Sequence, residues 1–213
     1  MPYNDKIYTN SILSLGISID KNLDVFTTHG MKQTDIKFDI TKISKNKHII
    51  HEINHKPAVP ELSRILDWPE GFLTDKTMLK TILYYPISLK RHGREVPAVI
   101  PFILKDSIMV PCMIDEGNVS ILTVSGNNLA KSIKHNLNHF ENICPEFGLL
   151  SSCVTIFETL GYNLNIVKKD LSDYFGEKPF LMFACAGEGT YSPENKITYA
   201  NMSYNTAIFG NTR

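Results

Sequence analysis

Apolar and polar residues alternate with a period of two near the start of the chain. Ile36, Phe38 and Ile40 are separated by charged or polar residues, as in a half-buried strand, and they predict a strand over Asp35–Ile43. Ile7–Ile19 and Leu23–Thr28 are similar runs, rich in Ile, Val, Thr and Phe and bounded by polar or glycine-containing turns. The pattern then changes. Ser44–His55, rich in histidine, predicts a helical piece stopped by Pro57. Pro60–Leu66 predicts one or two helical turns, and Trp68-Pro69-Glu70-Gly71 a turn.

Past Thr77 the blocks lengthen. Thr81–Ser88 predicts a strand, and His92-Gly93 a basic turn. Val96–Leu104 and Ser107–Ile114 are apolar runs split by Lys105-Asp106, which predicts a hairpin. Pro97, Pro101 and Pro111 place parts of these strands at an edge or a break. Val119–Val124 predicts another short strand. Leu129, Ile133, Leu137 and Phe140 recur at helical spacing and predict one helix over Asn128–Phe140. Glu141–Phe147 reads as a strand leading into Gly148–Gly161. There Ser151 and Ser152 are good N-cap residues, Val154, Phe157 and Leu160 form an apolar stripe, and Gly161 is a stop. Lys168–Phe175 predicts a polar helix, Pro179–Ala186 a strand, Gly187-Glu188-Gly189 a turn and Ile197–Phe209 the last strand or two. Because sheet and helices do not alternate regularly, the fold class is α+β, a mixed sheet with packed helices. The change of character near Thr77 suggests a β-rich segment with a His-rich helix over 1–76 and a candidate catalytic core over 77–213; one single domain is the alternative.

Composition narrows the function classes. Of 213 residues 43% are hydrophobic and 21% charged, the balance of a globular chain. Basic and acidic side chains number 22 each, so the zero net charge gives no support to a nucleic-acid or membrane-surface partner. No apolar run reaches a membrane span and no signal peptide opens the chain, which points to the cytoplasm. Cys112, Cys144, Cys153 and Cys185 show no CxxC spacing, so reduced thiols are the simplest reading. The sequence does not set an oligomeric state.

Two constellations carry candidate chemistry. The first centres on Cys153, which the helix prediction puts in a first turn. There the macrodipole and free N–H groups favour a thiolate and make it the most reactive thiol. The alternative is a small buried apolar residue. All seven histidines precede Cys153, so an order Cys then His is excluded and His92, Asp115, Cys153 remains open. The second is His51-Glu52-Ile53-Asn54-His55. On a helix both imidazoles share a face and could bind Zn²⁺ while Glu52 activates its water. Glu61 falls ten residues after His51, where one zinc-protease family places its third ligand.

The elements around Cys153 resemble a known core. Pro86-Ile87-Ser88, His92 in a turn, Asp115-Glu116 ending a strand, the Leu129–Phe140 helix and Ser151-Ser152-Cys153-Val154-Thr155-Ile156-Phe157 resemble the adenovirus-protease and ubiquitin-like-protease group. That group includes the YopJ-type effector acyltransferases of pathogenic bacteria. The resemblance covers about residues 80–164. It implies a cysteine-protease-like core with His92 as base, Asp115 (or Glu116) as orienter and Cys153 as nucleophile. It also implies acyl transfer on a protein substrate through a thioester, by an isopeptidase, protease or acetyltransferase, without a cofactor. A pathogen effector delivered into a host cell, acting on a host protein, fits the same resemblance. The alternatives are a zinc metallohydrolase built on the HEINH stretch and a non-catalytic binding or inhibitor protein.

Overall fold

The structure, a computed structural model, describes residues 2–3, 6–7, 9, 16–18, 20–74, 79–91, 94–186, 188–192 and 196–213. It is mixed α+β, with about 29% helix and 43% strand. Two short strands, β1 (Pro2–Tyr3) and β2 (Lys6–Ile7), pair with each other. Next come β3 (Asn22–Thr28), β4 (Lys32–Ile43), β5 (Ile49–Ile53), β6 (Lys56–Pro57) and α1 (Ala58–Ile65). The middle of the chain holds β7 (Ile87–Arg91), β8 (Arg94–Ala98), β9 (Phe102–Leu104), β10 (Ser107–Met109), β11 (Gly117–Thr123) and α2 (Gly126–His139). The last part holds β12 (Ile143–Cys153), α3 (Val154–Leu160), α4 (Leu164–Phe175), β13 (Phe180–Cys185), β14 (Glu188–Ser192), β15 (Lys196–Ala200) and β16 (Tyr204–Thr212).

Two main sheets result. The first runs β8-β7-β11-β4-β5-β10-β9, with β6 added beside β5, and its neighbours are antiparallel. Pro97 lies on its edge strand β8, as expected for a residue that cannot donate to a ladder. Helix α1 buries Ala58, Val59 and Leu62 against Phe38, Ile40, Ile50, Ile53 and Ile108, which form the first core. The second sheet runs β13-β12-β16-β3, with β12 and β13 parallel and the other pairs antiparallel. The connection between the parallel strands is α3 and α4, as a parallel pair requires. Helices α2, α3 and α4 supply Leu129, Ile133, Leu137, Ile156, Leu160, Val167 and Leu171 to the second core, over Leu150, Tyr204 and Ile208 of the sheet. The α2 stripe is the predicted one, and Ser125 caps the helix by accepting from the Asn128 N–H.

The structure corrects three expectations. Ser44–His55 is a hairpin arm, not a helix. The Ser44 hydroxyl accepts the Ile49 N–H and the Asn46 side chain accepts the His48 N–H, so local side-chain bonds close a turn, and β-branched Ile49 and Ile50 continue as β5. Over Thr81–Ser88, a 3-10 helix (Leu79–Tyr84) precedes Pro86, and the strand begins only at Ile87. The division at residue 76 does not follow the sheets, because β4 pairs with β11, β5 with β10 and β3 with β16. Most of the expected Ile7–Ile19 strand and the His92-Gly93 turn lie outside the described residues.

Candidate functional site

Cys153 is the last residue of β12 and the N-cap of α3, with φ −57° and ψ 136°. Ser151 and Ser152, expected to cap the helix, are strand residues instead. They pair with Asn205 and Tyr204 on one side and with Phe183 and Ala184 on the other. Pairing on both edges holds the backbone extended to Cys153, one or two residues further than local cap chemistry suggests. Cys153 is 8% exposed among the apolar side chains of the second core, and its Sγ lies 3.1 Å from the Thr155 hydroxyl. Its parallel partner in register is Cys185, whose thiol points to the Ser152 carbonyl at 3.5 Å.

Asp115 stands elsewhere. Its carboxylate bonds the Lys47 ammonium at 2.6 Å, and that hydrogen bond and charge, with a smaller pull from Arg91, hold its pKa below the ordinary value. It precedes β11, whose seven residues rise about 20 Å from that end to the end where Leu122 enters the second core. Glu116 beside it is exposed. Asp115 is bonded to Lys47 and Cys153 lies in the second core, no hydrogen bond or ion pair joins the two among the described residues, and His92 lies outside the described residues.

The histidine pair of the zinc reading is not on a helix. His51 is on β5, where its Nδ1 lies 3.1 Å from the Ser107 hydroxyl, and Glu52 next to it pairs with Lys42 at 3.0 Å. Neighbouring side chains on a strand point to opposite faces, so His51 and Glu52 diverge. His55 sits in the following turn with φ +61°. Glu61 is buried on α1. It accepts two bonds from Arg64, at 2.7 and 2.8 Å, and one from Asn54 at 3.1 Å, which with Lys56 draw its pKa down to about 2. Among the described residues no group of three or more His, Cys, Asp or Glu is placed to hold a metal ion.

What the sequence reading missed is a polar band across the second sheet. On one face Thr27 donates to Asn205 at 2.8 Å, and the Asn205 amide reaches Ser151 at 3.2 Å and Ser203 at 3.3 Å. On the face under the helices, Ser152, Tyr204 and Thr28 stand side by side in register. The hydroxyls of Ser152 and Thr28 are buried without a partner, and the Tyr204 phenol lies against Thr206 without a well-formed hydrogen bond. Burial pushes that phenol's pKa up. Asn136 of α2 donates to the carbonyl of Phe26, the register partner of Thr206, while its own Oδ1 has no partner. Burial lowers the His29 pKa against the opposing pull of the Glu95 carbonyl and carboxylate. The signal was present in the sequence: after Ser203, Tyr204-Asn205-Thr206 puts polar groups at consecutive positions of a central strand, where both faces are buried. No family model, no curated protein and no solved structure matches the chain.

Proposed function

We propose that the chain is a non-catalytic binding module that encloses a compact polar molecule between the second sheet and α2. The observation that carries this reading is the row of buried hydroxyls from Ser152, Tyr204 and Thr28, with Thr206 and the Asn136 carbonyl oxygen beside it. A buried polar group left unpaired costs about 1–3 kcal/mol, so a fold that keeps several in one place has something to complete them. Hydroxyls and an amide recognise a neutral ligand that both donates and accepts. The carboxyl ends of the parallel strands β12 and β13, where this row lies, are also the usual place for a ligand in such a unit. Native mass spectrometry of the purified protein tests the reading, because an enclosed site releases its occupant slowly. Extra mass is expected on the wild type, lost on unfolding and absent from the Tyr204→Phe/Thr206→Val variant. A bare chain mass in both would mean that water fills the site and would overturn the proposal.

The second reading is the thiol enzyme that the resemblance implies, with Cys153 acting on a protein substrate. The junction of strand and helix at Cys153 supports it. Thiol labelling separates the two. The binding module should be alkylated by iodoacetamide first at Cys144, which is exposed, and slowly at buried Cys153. Cys153 reacting first near neutral pH would reverse the ranking.

A further inference from the structure

A cavity of about 530 Å³, far from the band under α2, opens at the end of α1 in the first half of the fold. It is lined by α1 and the turn after it, by Trp68 and Leu73, and by the β9–β10 turn at Asp106. Three carboxylates line it: Asp67, Glu70 and Asp106. None has an ion-pair partner among the described residues; of the nearby cations, Arg64 also lines the cavity and Lys105 adjoins Asp106 in sequence. Arg64 makes a two-pronged bond to buried Glu61, and Lys56 faces the same carboxylate. Two further features point to a cation. The C-terminus of α1 lies at this turn and its dipole favours positive charge, with Arg64 in the last turn and the Leu62, Ser63 and Arg64 carbonyls taken by backbone N–H groups. Trp68 supplies an indole ring, the strongest aromatic partner for an ammonium, and Phe72 and Tyr85 pack against it at 4.8 and 5.2 Å. Ser63, 7% exposed, also lines the cavity, and its hydroxyl has no partner among the described residues, which leaves a polar group for a ligand N–H. Asp67, at φ +54°, is the left-handed residue that closes α1, with its N–H and that of Trp68 donating back to the Arg64 and Ser63 carbonyls.

We infer that this cavity binds an organic ammonium ion: an aliphatic di- or polyamine, or the amine of a lysine side chain. The charged nitrogen would sit between Asp67 and Asp106, near the Ser63 hydroxyl, with its hydrocarbon against Trp68 and Leu73. An inorganic cation would leave the indole and the apolar wall without a role, and an anion would meet three unpaired carboxylates.

Trp68 is the single tryptophan of the chain, so its emission reports this cavity alone. Spermidine and tetramethylammonium chloride should shift it saturably, whereas sodium chloride at matched ionic strength and neutral tert-butanol should not. The Asp67→Asn/Asp106→Asn variant should weaken the apparent affinity at least tenfold. Asparagine tolerates the left-handed backbone at 67, so circular dichroism and the melting temperature of the variant should stay near the wild type. A peptide with free lysines against the same peptide acetylated separates the two sources: a response to the free peptide with none to spermidine assigns a protein side chain. No saturable change with any amine, or a change that survives in the folded double variant, would overturn the inference. Neither result bears on the enclosed site under α2, which Trp68 does not report.

Discussion

The two sheets solve the burial problem differently. Around the first sheet, the core from Phe38 to Ile121 is mainly apolar, with Ser63 of α1 and Ser88 of β7 among its few buried polar side chains. Among the described residues its one deeply buried charge, Glu61, is answered by Arg64, Asn54 and Lys56. Around the second sheet, the Thr28 and Ser152 hydroxyls, His29 Nδ1 and Asn136 Oδ1 are buried without a partner among the described residues, and the Thr206 hydroxyl has only a poorly formed contact with the Tyr204 phenol. A core with its polar groups paired holds a shape. A core that keeps unpaired ones gives up stability for a reason, and binding is the reason proposed above. If the comparison is right, the first half is scaffold and the second is where sequence changes alter function without altering the fold.

The sharpest break of this comparison removes apolar volume from the first core. Leu62 is 0% exposed and packs α1 onto its sheet. Leu62→Ala should cost about 3 kcal/mol, read as a lower urea midpoint with an unchanged slope, from lost transfer energy plus the cavity left behind. A cost under about 1 kcal/mol would show that this half is as loosely determined as the second.

Tightness of a different kind is expected in the second core at Gly148. A Cβ there would meet the Phe175 ring at 2.3 and 2.6 Å, and Phe175 is itself buried and stacked on Phe180 at 4.7 Å. Gly148→Ala should therefore cost about 2 kcal/mol by overpacking. The added substitution Phe175→Leu should recover part of it. A neutral Gly148→Ala would mean that the apolar part of this core, and not only its polar band, is slack.

These two sites also show what was legible in the sequence. The α2 stripe Leu129, Ile133, Leu137 and Phe140 was readable because its period is regular, although the Ser125 cap that starts the helix went unread. The hairpin at Lys105-Asp106 was readable for a similar reason: two apolar runs flank one polar pair. Ser44–His55 was not, because the turn depends on where the Ser44 and Asn46 side chains bond, and a polar, His-rich stretch has no period to show it. The end of β12 was misread because two strands far away in sequence pair with it. The polar band was invisible for the same reason. Ser152, Tyr204 and Thr28 are 52 and 176 residues apart, and only the register sets them side by side.

Acid should separate the halves at two different pH values. Glu61 has a folded pKa of about 2, below its unfolded value near 4.5, so its contribution to stability is present above about pH 4.5 and lost as pH falls toward 2. Glu61→Gln should cost about 1.5 kcal/mol at pH 7, from hydrogen bonds to a charged acceptor, with the gap to wild type closing in that acid window. His29 also has a folded pKa below its unfolded value, near 6.5. Its burial as a neutral ring is fully tolerated above that value, and stability falls as pH drops through it, because the unfolded chain takes up the proton first. His29→Gln should flatten the loss between neutral and mildly acid pH while leaving the Glu61 step in place. Melting curves at a series of pH values in both variants check the assignment. A mild-acid loss unchanged in His29→Gln would place the sensitive group outside the second half.

The smallest expected effect distinguishes the halves most directly. Thr206 is 0% exposed on the central strand β16, and its hydroxyl lies against the Tyr204 phenol without a well-formed hydrogen bond. Thr27 carries the same side chain on the neighbouring strand β3, but its hydroxyl donates to Asn205 at 2.8 Å. Replacing either by valine exchanges a hydroxyl for a methyl of similar size. At Thr27 the change removes a made hydrogen bond and leaves an amide oxygen short of a donor, so Thr27→Val should cost about 1 kcal/mol. At Thr206 no bond is lost and a desolvated hydroxyl is removed, so Thr206→Val should lie within about 0.5 kcal/mol of wild type or be slightly stabilising in unliganded protein. The same variant should lose the bound mass, because its hydroxyl is part of the row that completes the ligand. Stability unchanged and binding lost is the signature of a group kept for function. If Thr206→Val instead costs as much as Thr27→Val, its hydroxyl is paired in the resting protein by an ordered water. The second core then satisfies its polar groups as fully as the first, and the contrast between the two sheets disappears.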